Sequence, residues 1–495
     1  MKDLGELLKI LEVKVIKGDP EGLTVTGIAY DSRKVEPGFV FVCIEGFKTD
    51  GHNYAGGAVQ KGAVAVVAVR PVDVPEGVPL ILTDNTRMAL ALLGAAYYDY
   101  PSRALTMIGI TGTNGKTTTS FLIEEIFKET GKKVGLIGTI KNKIGDRELP
   151  VTNTTPESLD LQRLLAEMRD SGVSHVVMEV SSHALDLDRV AGVEYDLAIF
   201  TNLTQDHLDF HENMENYLAA KTKLFAGLGK NTGKDHPKYG IINVDDPQSD
   251  KIIAKTTGNV VTYGIHKPAD VRAGNIDLRA EGVAFDISTP QGNLHLDLHI
   301  TGLFNVANSL AAVAAAIAGG LPLEAVKTAL ERISGVDGRL EKVDEGQDFA
   351  VLVDYAHTPD SLENILKAAR EFTKGRIITV FGCGGDRDRT KRPLMGAVAA
   401  RLSDYTVLTS DNPRSEQPDA ILADIEAGVA PLIGKDKYTV IADRRQAIGF
   451  ALQLARPEDT VLLAGKGHET YQLVGERVLP FDDREVARDF LRKSV

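Results

Sequence analysis

Apolar positions change rhythm along this chain, and each rhythm predicts a kind of element. Residues 1 to about 103 carry short Val-rich runs between glycines, such as "GFVFVCIEG" and "GAVAVVAV". Continuous apolar runs of that length, bounded by turn residues, read as buried strands. From Leu105 the runs "LTMIGI", "KVGLIGT", "HVVMEV", "DLAIFTN" and "GIINV" alternate with stretches of helical apolar spacing. That alternation predicts βα units on a mostly parallel sheet. Between Val271 and Ile300 the period drops to two in "VAFDIST" and "LHLDLHI", which predicts a small antiparallel excursion. "NVANSLAAVAAAIAGG" then predicts a buried helix ended by Gly319 and Gly320. After "GVDGRLEKV" come five more strand-length runs: "FAVLVD", "IITVFG", "YTVLTS", "YTVIA" and "TVLLAG".

Polar residues gather just past the carboxyl ends of these last strands, as "YAHTPD", "GCGGDRD", "SDNPR", "DRR" and "GKGHE". In open parallel sheets that edge is where ligands bind. The fold class expected is α/β in three domains, with "DYPSR" (Asp99 to Arg103) as the first linker. Residues 1–103 form a small α/β N-terminal domain, 104–338 a central, mostly parallel sheet of P-loop type, and 339–495 a Rossmann-like C-terminal domain.

Composition narrows the picture. A chain of 495 residues is too long for one core and predicts about two to four domains. Hydrophobic residues at 43% and charged residues at 25% are the balance of a soluble globular protein. The net charge of −13 argues against a nucleic-acid or anionic-membrane binder, so an anionic ligand needs a local cluster of Lys and Arg. Cys43 and Cys383 have no metal-ligand spacing and exclude a disulfide framework, which fits a reducing, cytoplasmic setting. The start, "MKDLGELLKILEVKV", is interrupted by charges and lacks a signal-peptide core. The longest apolar runs, "AVAVVAV" and "LAAVAAAIA", are far short of a membrane span.

The sharpest local chemistry is in "MIGITGTNGKTTTSFLIEEIFKETG". A buried strand passes through Gly112-Thr113-Asn114-Gly115-Lys116-Thr117-Thr118 into a helix with apolar positions Leu122, Ile123, Ile126 and Phe127. Glycines let backbone N–H groups approach a polyphosphate, and the helix N-terminus adds partial positive charge. Lys116 is placed to reach the β- and γ-phosphates and Thr117 to ligate Mg²⁺. The common P-loop pattern has four residues between its glycines; this chain has two.

"GTNGKTTT" resembles the ATP-binding signature of the Mur ligase family, which includes the folylpolyglutamate synthetases. The resemblance continues in order through "TNTTPES", "MEVSSHALDLDRV", "TNLTQDHLDFH", "YLAAKTKLF", "GLFNVANSLAA", "GRLE", "DYAHTPDSL", "GCGGDRDRTKRPLMG", "SDNPRSE" and "GKGHE", nearly the whole chain. It implies ATP-dependent peptide-bond formation through an acyl phosphate, which sets anion against anion. Catalysis there is positioning and charge neutralisation by Mg²⁺ and cations.

The resemblance also implies roles. Glu179 holds Mg²⁺ near the phosphates. His207 is a second Mg²⁺ partner, which ligand preference alone does not suggest because hard cations favour oxygen. Lys221, taken alone, is a lysine on an amphipathic helix. In the family such a lysine is carboxylated by CO₂, and the carbamate holds a second Mg²⁺. It must first lose its proton, so its pKa must be depressed. Lys223, two positions on, faces elsewhere and is the internal control. Asn305, Asn308, Arg339, Asp354 and Tyr355 are expected to contact adenine and ribose, with Arg339 poised to sense closure of the third domain. Ser32 is expected at the uridine or pyrophosphate, and Asn153, Thr154, Thr155, Ser181 and Arg189 at the sugar and dipeptide. Many diaminopimelate-adding enzymes carry a glutamine two residues before that arginine; this chain has Leu187.

The incoming amino acid is read from "SDNPR". Family members that add meso-diaminopimelate carry Asp-Asn-Pro-Arg here (Asp411, Asn412, Pro413, Arg414), and those that add L-lysine generally do not. An Arg fork pairs with the extra carboxylate, and a buried Arg left unpaired penalises lysine. Asp411 and Asn412 engage the D-centre ammonium, and Arg387, Gly465 and Glu469 complete the pocket. The resemblance therefore implies a ligase adding meso-2,6-diaminopimelate to UDP-N-acetylmuramoyl-L-alanyl-D-glutamate, with the L-lysine-adding homologue as the alternative. It implies small-molecule substrates, no nucleic-acid or membrane partner, and a monomer.

Overall fold

The computed structural model describes residues 1–46, 49–151, 153–229, 233–279 and 282–494. Three main sheets organise it. The first has five strands in the order Lys14–Lys17, Leu80–Leu82, Ala65–Ala68, Phe39–Val42, Gly27–Ala29. All neighbours are parallel except Lys14–Lys17, which runs antiparallel to Leu80–Leu82. Every residue of Ala65–Ala68 is buried, as its unbroken apolar run requires in a sheet covered on both faces.

The second sheet has eleven strands. Its parallel body runs in the order Val134–Ile137, His175–Glu179, Thr106–Thr111, Leu197–Phe200, Tyr239–Asn243, Asn259–Gly264, Val271–Arg279. The antiparallel strands Gly282–Thr289 and Gly292–Leu298 extend one edge, where the period-two pattern lies. The hairpin Asn142–Ile144 with Arg147–Leu149 extends the other. Helix Lys116–Glu129 packs on this sheet beside Leu303–Ala318, which is buried from Leu310 to Ala316. The central position of Thr106–Thr111 matters most for function. Its neighbours are His175–Glu179 and Leu197–Phe200, so the loops after Thr111, Glu179 and Phe200 leave one edge side by side.

The third sheet has six strands in the order Glu341–Lys342, Ala350–Asp354, Thr460–Ala464, Ile377–Phe381, Tyr405–Leu408, Tyr438–Val440. Five are parallel; Glu341–Lys342 is the antiparallel edge. This order sets "YAHTPD", "GKGHE", "GCGGDRD" and "SDNPR" next to one another. Two further strands, Tyr471–Val474 and Arg477–Pro480, form a hairpin that no apolar rhythm announces. Among the described residues no helix is long and apolar enough to cross a membrane.

Candidate active site

The phosphate loop is shaped by two close approaches. Gly115 sits at φ 85°, left-handed, and a Cβ there would lie 2.4 Å from Asn308 Oδ1. A Cβ on Gly112 would lie 1.8 Å from Thr201 Oγ1. Any side chain at either place would push the loop off its neighbours. Lys116 Nζ donates to the loop's own carbonyls, Gly112 O at 3.0 Å and Thr113 O at 2.8 Å. Burial lowers its pKa below the usual lysine value.

Glu179 ends its strand 1% exposed and is held by three donors. Thr117 Oγ1 donates at 3.1 Å, Thr139 N at 2.9 Å and Thr139 Oγ1 at 3.1 Å. Thr117 also accepts from Arg339 Nη2 at 3.1 Å, across to the third sheet's body. Arg339 Nε is buried with no hydrogen-bond partner. Thr117 and Glu179 present oxygens 3.1 Å apart, a donor set that suits a hard cation.

Lys221 is 1% exposed on helix Met214–Ala226. Its Nζ donates to Gly112 O at 2.8 Å and lies 4.4 Å from the Tyr217 ring centre. Burial first, and the Lys116 charge second, hold its pKa well below 10.5. Lys223 Nζ instead pairs with Asp186 at 2.9 Å on the surface, its side chain 49% exposed. His207 adopts φ 54°, and its ring packs edge-on against His183 and Tyr217. Burial, aided by His183, Lys116 and Lys221, lowers its pKa to about 4 against the pull of Asp206.

Lys116, Thr117, Glu179 and His207 face a cavity of 470 Å³; Gly112 and Lys221 do not line it, and Lys221 stands behind the loop on the Gly112 carbonyl. The cavity is lined by the loop from Thr113 to Thr118 and by Thr154, Glu179, Ser181, His207, Asn308, Arg339, Asp354 and Tyr355. Asn305 does not line it: it donates to Thr301 O at 2.8 Å and accepts from Asn308 Nδ2 at 3.1 Å, so it orients Asn308 from behind. Asp354, 9% exposed, accepts from Leu340 N and Ala356 N, both at 2.8 Å. Tyr355 is flanked by His357, His468 and the Arg339 guanidinium, which gives a nucleobase aromatic and cationic surfaces.

Ser32, in the short turn Ser32–Lys34, lines neither this cavity nor the next, and neither does Asn153. Thr155 is buried between Glu179 O at 2.8 Å and Ser181 N at 3.1 Å. Arg189 pairs with Glu157 at 3.3 Å, which also meets Arg87 at 3.3 Å. Leu187 caps the short helix Ser182–Asp186 just before Arg189.

A second cavity of 670 Å³ adjoins the first, and Asp206, His207, Tyr355, His357 and Thr358 line both. Arg387, Asp411, Asn412, Arg414, Gly465 and Glu469 line it; Pro413 does not. Asn412 is 2% exposed. Its Nδ2 donates to Glu469 Oε2 at 2.8 Å, and its Oδ1 accepts from Leu473 N at 2.9 Å. Arg414 takes φ 51°, pinned by its N–H to Leu473 O at 3.0 Å and by Gly475 N to its carbonyl at 2.7 Å. Its Nη1 donates to Gly385 O at 2.8 Å, and the residue lines the second cavity.

Sequence reasoning missed several residues here. Lys466 is fully buried, 3.0 Å from Glu469 Oε2 and 3.3 Å from Asn412 Oδ1. His357, Lys391 and Asp360 line the second cavity, whereas Lys466 lies beneath its Asn412 and Glu469. Each lies in a quoted motif, so position was the available signal; residue type was not.

Three family models match along the chain. The Mur ligase family catalytic-domain model matches residues 24–98, the Mur ligase middle domain 110–316, and the Mur ligase glutamate ligase domain 338–467. The UDP-N-acetylmuramoyl-L-alanyl-D-glutamate–2,6-diaminopimelate ligase of Geobacillus thermodenitrificans is 52% identical over 471 residues, 95% of each chain. The enzyme of the same name from Syntrophomonas wolfei is 50% identical over 492 residues, 99% of each. A solved structure of a ligase of that name superposes with TM-score 0.70 at 32% identity, covering 100% of this chain and 99% of the other. This chain belongs to the Mur ligase family.

Proposed function

We propose that this chain is an ATP-dependent ligase that joins meso-2,6-diaminopimelate to the D-glutamate of UDP-N-acetylmuramoyl-L-alanyl-D-glutamate in peptidoglycan precursor synthesis. The observation that carries this reading is the pair of adjoining cavities, one around the phosphate loop and one around Arg414. The reaction needs that arrangement. The glutamyl carboxylate attacks the γ-phosphorus of ATP, giving an acyl phosphate and ADP. The incoming amine then attacks the acyl carbon, forms the amide, expels phosphate and loses a proton. Adjacent cavities let the second step follow without release of the acyl phosphate.

Lys116 would turn from the loop carbonyls to the phosphates, and Arg339 would follow from the third body. Thr117 and Glu179 would hold one Mg²⁺, and His207 with a carboxylated Lys221 a second. When bound, Mg²⁺ supplies charge neutralisation at the phosphates. The buried, proton-poor Lys221 supports the carbamate reading, because only the neutral amine combines with CO₂. Residues 1–103 are assigned to the UDP-sugar, 104–338 to ATP and 339–495 to the amino acid. The reading implies small-molecule substrates only and a cytoplasmic monomer.

Incubation with ATP, Mg²⁺ and the UDP-linked dipeptide, following phosphate release, tests this. Release with meso-diaminopimelate and little with L-lysine is expected. No release with either overturns the ligase reading, and faster release with lysine overturns the choice of amino acid.

A further inference from the structure

Asp360 lines the second cavity and bonds residues that line the first. It lies in the first turn of helix Pro359–Phe372, whose start is fixed by a reciprocal pair: Thr358 Oγ1 accepts from Ser361 N, and Ser361 Oγ accepts from Thr358 N. From there Asp360 Oδ2 reaches out of its own body. It accepts from Asn114 Nδ2 at 2.6 Å and Thr204 Oγ1 at 2.8 Å. Asn114 belongs to the phosphate loop and Thr204 to the loop after Leu197–Phe200. A third donor, Asn364 Nδ2 at 3.2 Å, steadies the carboxylate within its helix. Asn114 and Thr204 line the nucleotide cavity, whereas Asp360 lines the amino-acid cavity. The three therefore form part of the wall between them.

We propose that Asp360 is a positioning residue: its carboxylate docks the third body onto the phosphate loop and sets the gap across which the amine meets the acyl phosphate. This rests on the ligase reading. Charged-acceptor hydrogen bonds are short and directional, so one oxygen shared by two donors fixes distance as well as contact. A shift of about 1 Å between reacting groups costs on the order of a hundredfold in rate. The Arg339–Thr117 bond ties the same bodies at the nucleotide. The Asp360 tie acts where the second step takes place.

The test compares parent, Asp360→Ala and Asp360→Asn in two assays. One is full turnover with meso-diaminopimelate. The other is ADP–ATP isotope exchange with the UDP-linked dipeptide and no amino acid, which reports the first step alone. In Asp360→Ala, kcat for turnover falls roughly tenfold to a hundredfold, while exchange stays within about threefold and Tm is kept. Asp360→Asn recovers most of the loss, because an amide oxygen still accepts from both donors. Thr204→Val added to Asp360→Ala lowers kcat by no more than about twofold again, since its bond to Asp360 is already gone and only a long 3.5 Å contact from Asn114 Nδ2 is left to lose. Unchanged turnover in Asp360→Ala overturns the proposal. So does an equal fall in turnover and exchange with a lowered Tm, which would make Asp360 a general structural contact. A parent protein that releases no phosphate overturns the ligase reading instead, and this inference with it.

Discussion

The two cavities are made in different ways. The first centres on three adjacent strand ends of the eleven-stranded sheet and is closed by Arg339, Asp354 and Tyr355; Glu179 there has three donors, and Lys221 lies behind it, sealed against Gly112 and Tyr217. The amino-acid side is built from loops of another sheet and clipped by a hairpin whose strand Arg477–Pro480 is exposed throughout. Arg387 there is exposed, and Arg414, at a positive φ, is held by backbone bonds to Leu473 and Gly475. Phosphate charge is neutralised best by rigid, dry placement, while the second cavity pairs a buried floor at Asn412 and Lys466 with an exposed rim at Arg387.

The largest effect that would sharpen this contrast is at Lys221. Lys221→Met is expected to lower kcat by at least roughly a thousandfold, in line with loss of a group that organises transition-state charge. The same change should stabilise the fold. The folded pKa of Lys221 lies below its unfolded value, so the unfolded chain binds more protons in that interval and stability rises with pH across it. At neutral pH, in CO₂-free buffer, the parent bears the cost of a buried amine. Methionine removes that cost, and the variant should unfold at a higher denaturant concentration than the parent. Lys223→Ala, on the surface, should change stability by less than about 0.5 kcal/mol and leave turnover alone. Chemical denaturation and phosphate release check both, and a less stable Lys221→Met would break the contrast.

Next in size is Arg414. Arg414→Lys keeps the charge and loses the fork. The KM for meso-diaminopimelate should rise roughly tenfold to a hundredfold while the KM for ATP is unchanged. If the two rise together, the amino-acid side is no more separable from the nucleotide side than any other part of the chain.

What the sequence revealed follows the same division. The phosphate loop was legible because strand, glycines, Lys-Thr pair and helix must fall in register; βα alternation announced a mostly parallel sheet but not its order, in which Val134–Ile137, next in sequence, lies one strand away from Thr106–Thr111. The hairpin Tyr471–Pro480 was not, because its outer strand buries nothing and leaves no apolar alternation to read. Asp360 hid as an acid in a helix's first turn, where the helix dipole alone explains it. Lys466 hid because a lysine is read as exposed unless its partners, here Glu469 and Asn412, are known to meet it. Asn305 and Pro413 show the reverse: motif positions that stand behind or beside the residues lining the cavities.

The smallest effect tests whether the hairpin belongs to the amino-acid side at all. Gln472 donates through Nε2 to the carbonyl of Asp411 at 2.6 Å, and Leu473 N donates to Asn412 Oδ1 at 2.9 Å, so the hairpin holds the substrate loop from beneath. Gln472→Ala removes one neutral hydrogen bond, worth about 0.5–1.5 kcal/mol. If that energy orders the loop, the KM for meso-diaminopimelate rises about two- to tenfold with no change in the KM for ATP. Val478, 64% exposed on the outer strand, gives the matched control, and Val478→Ser should move neither constant. Equal shifts in both constants for Gln472→Ala would show that the hairpin supports the whole body. A shift confined to the amino acid marks it as the part of the chain that shapes the second cavity.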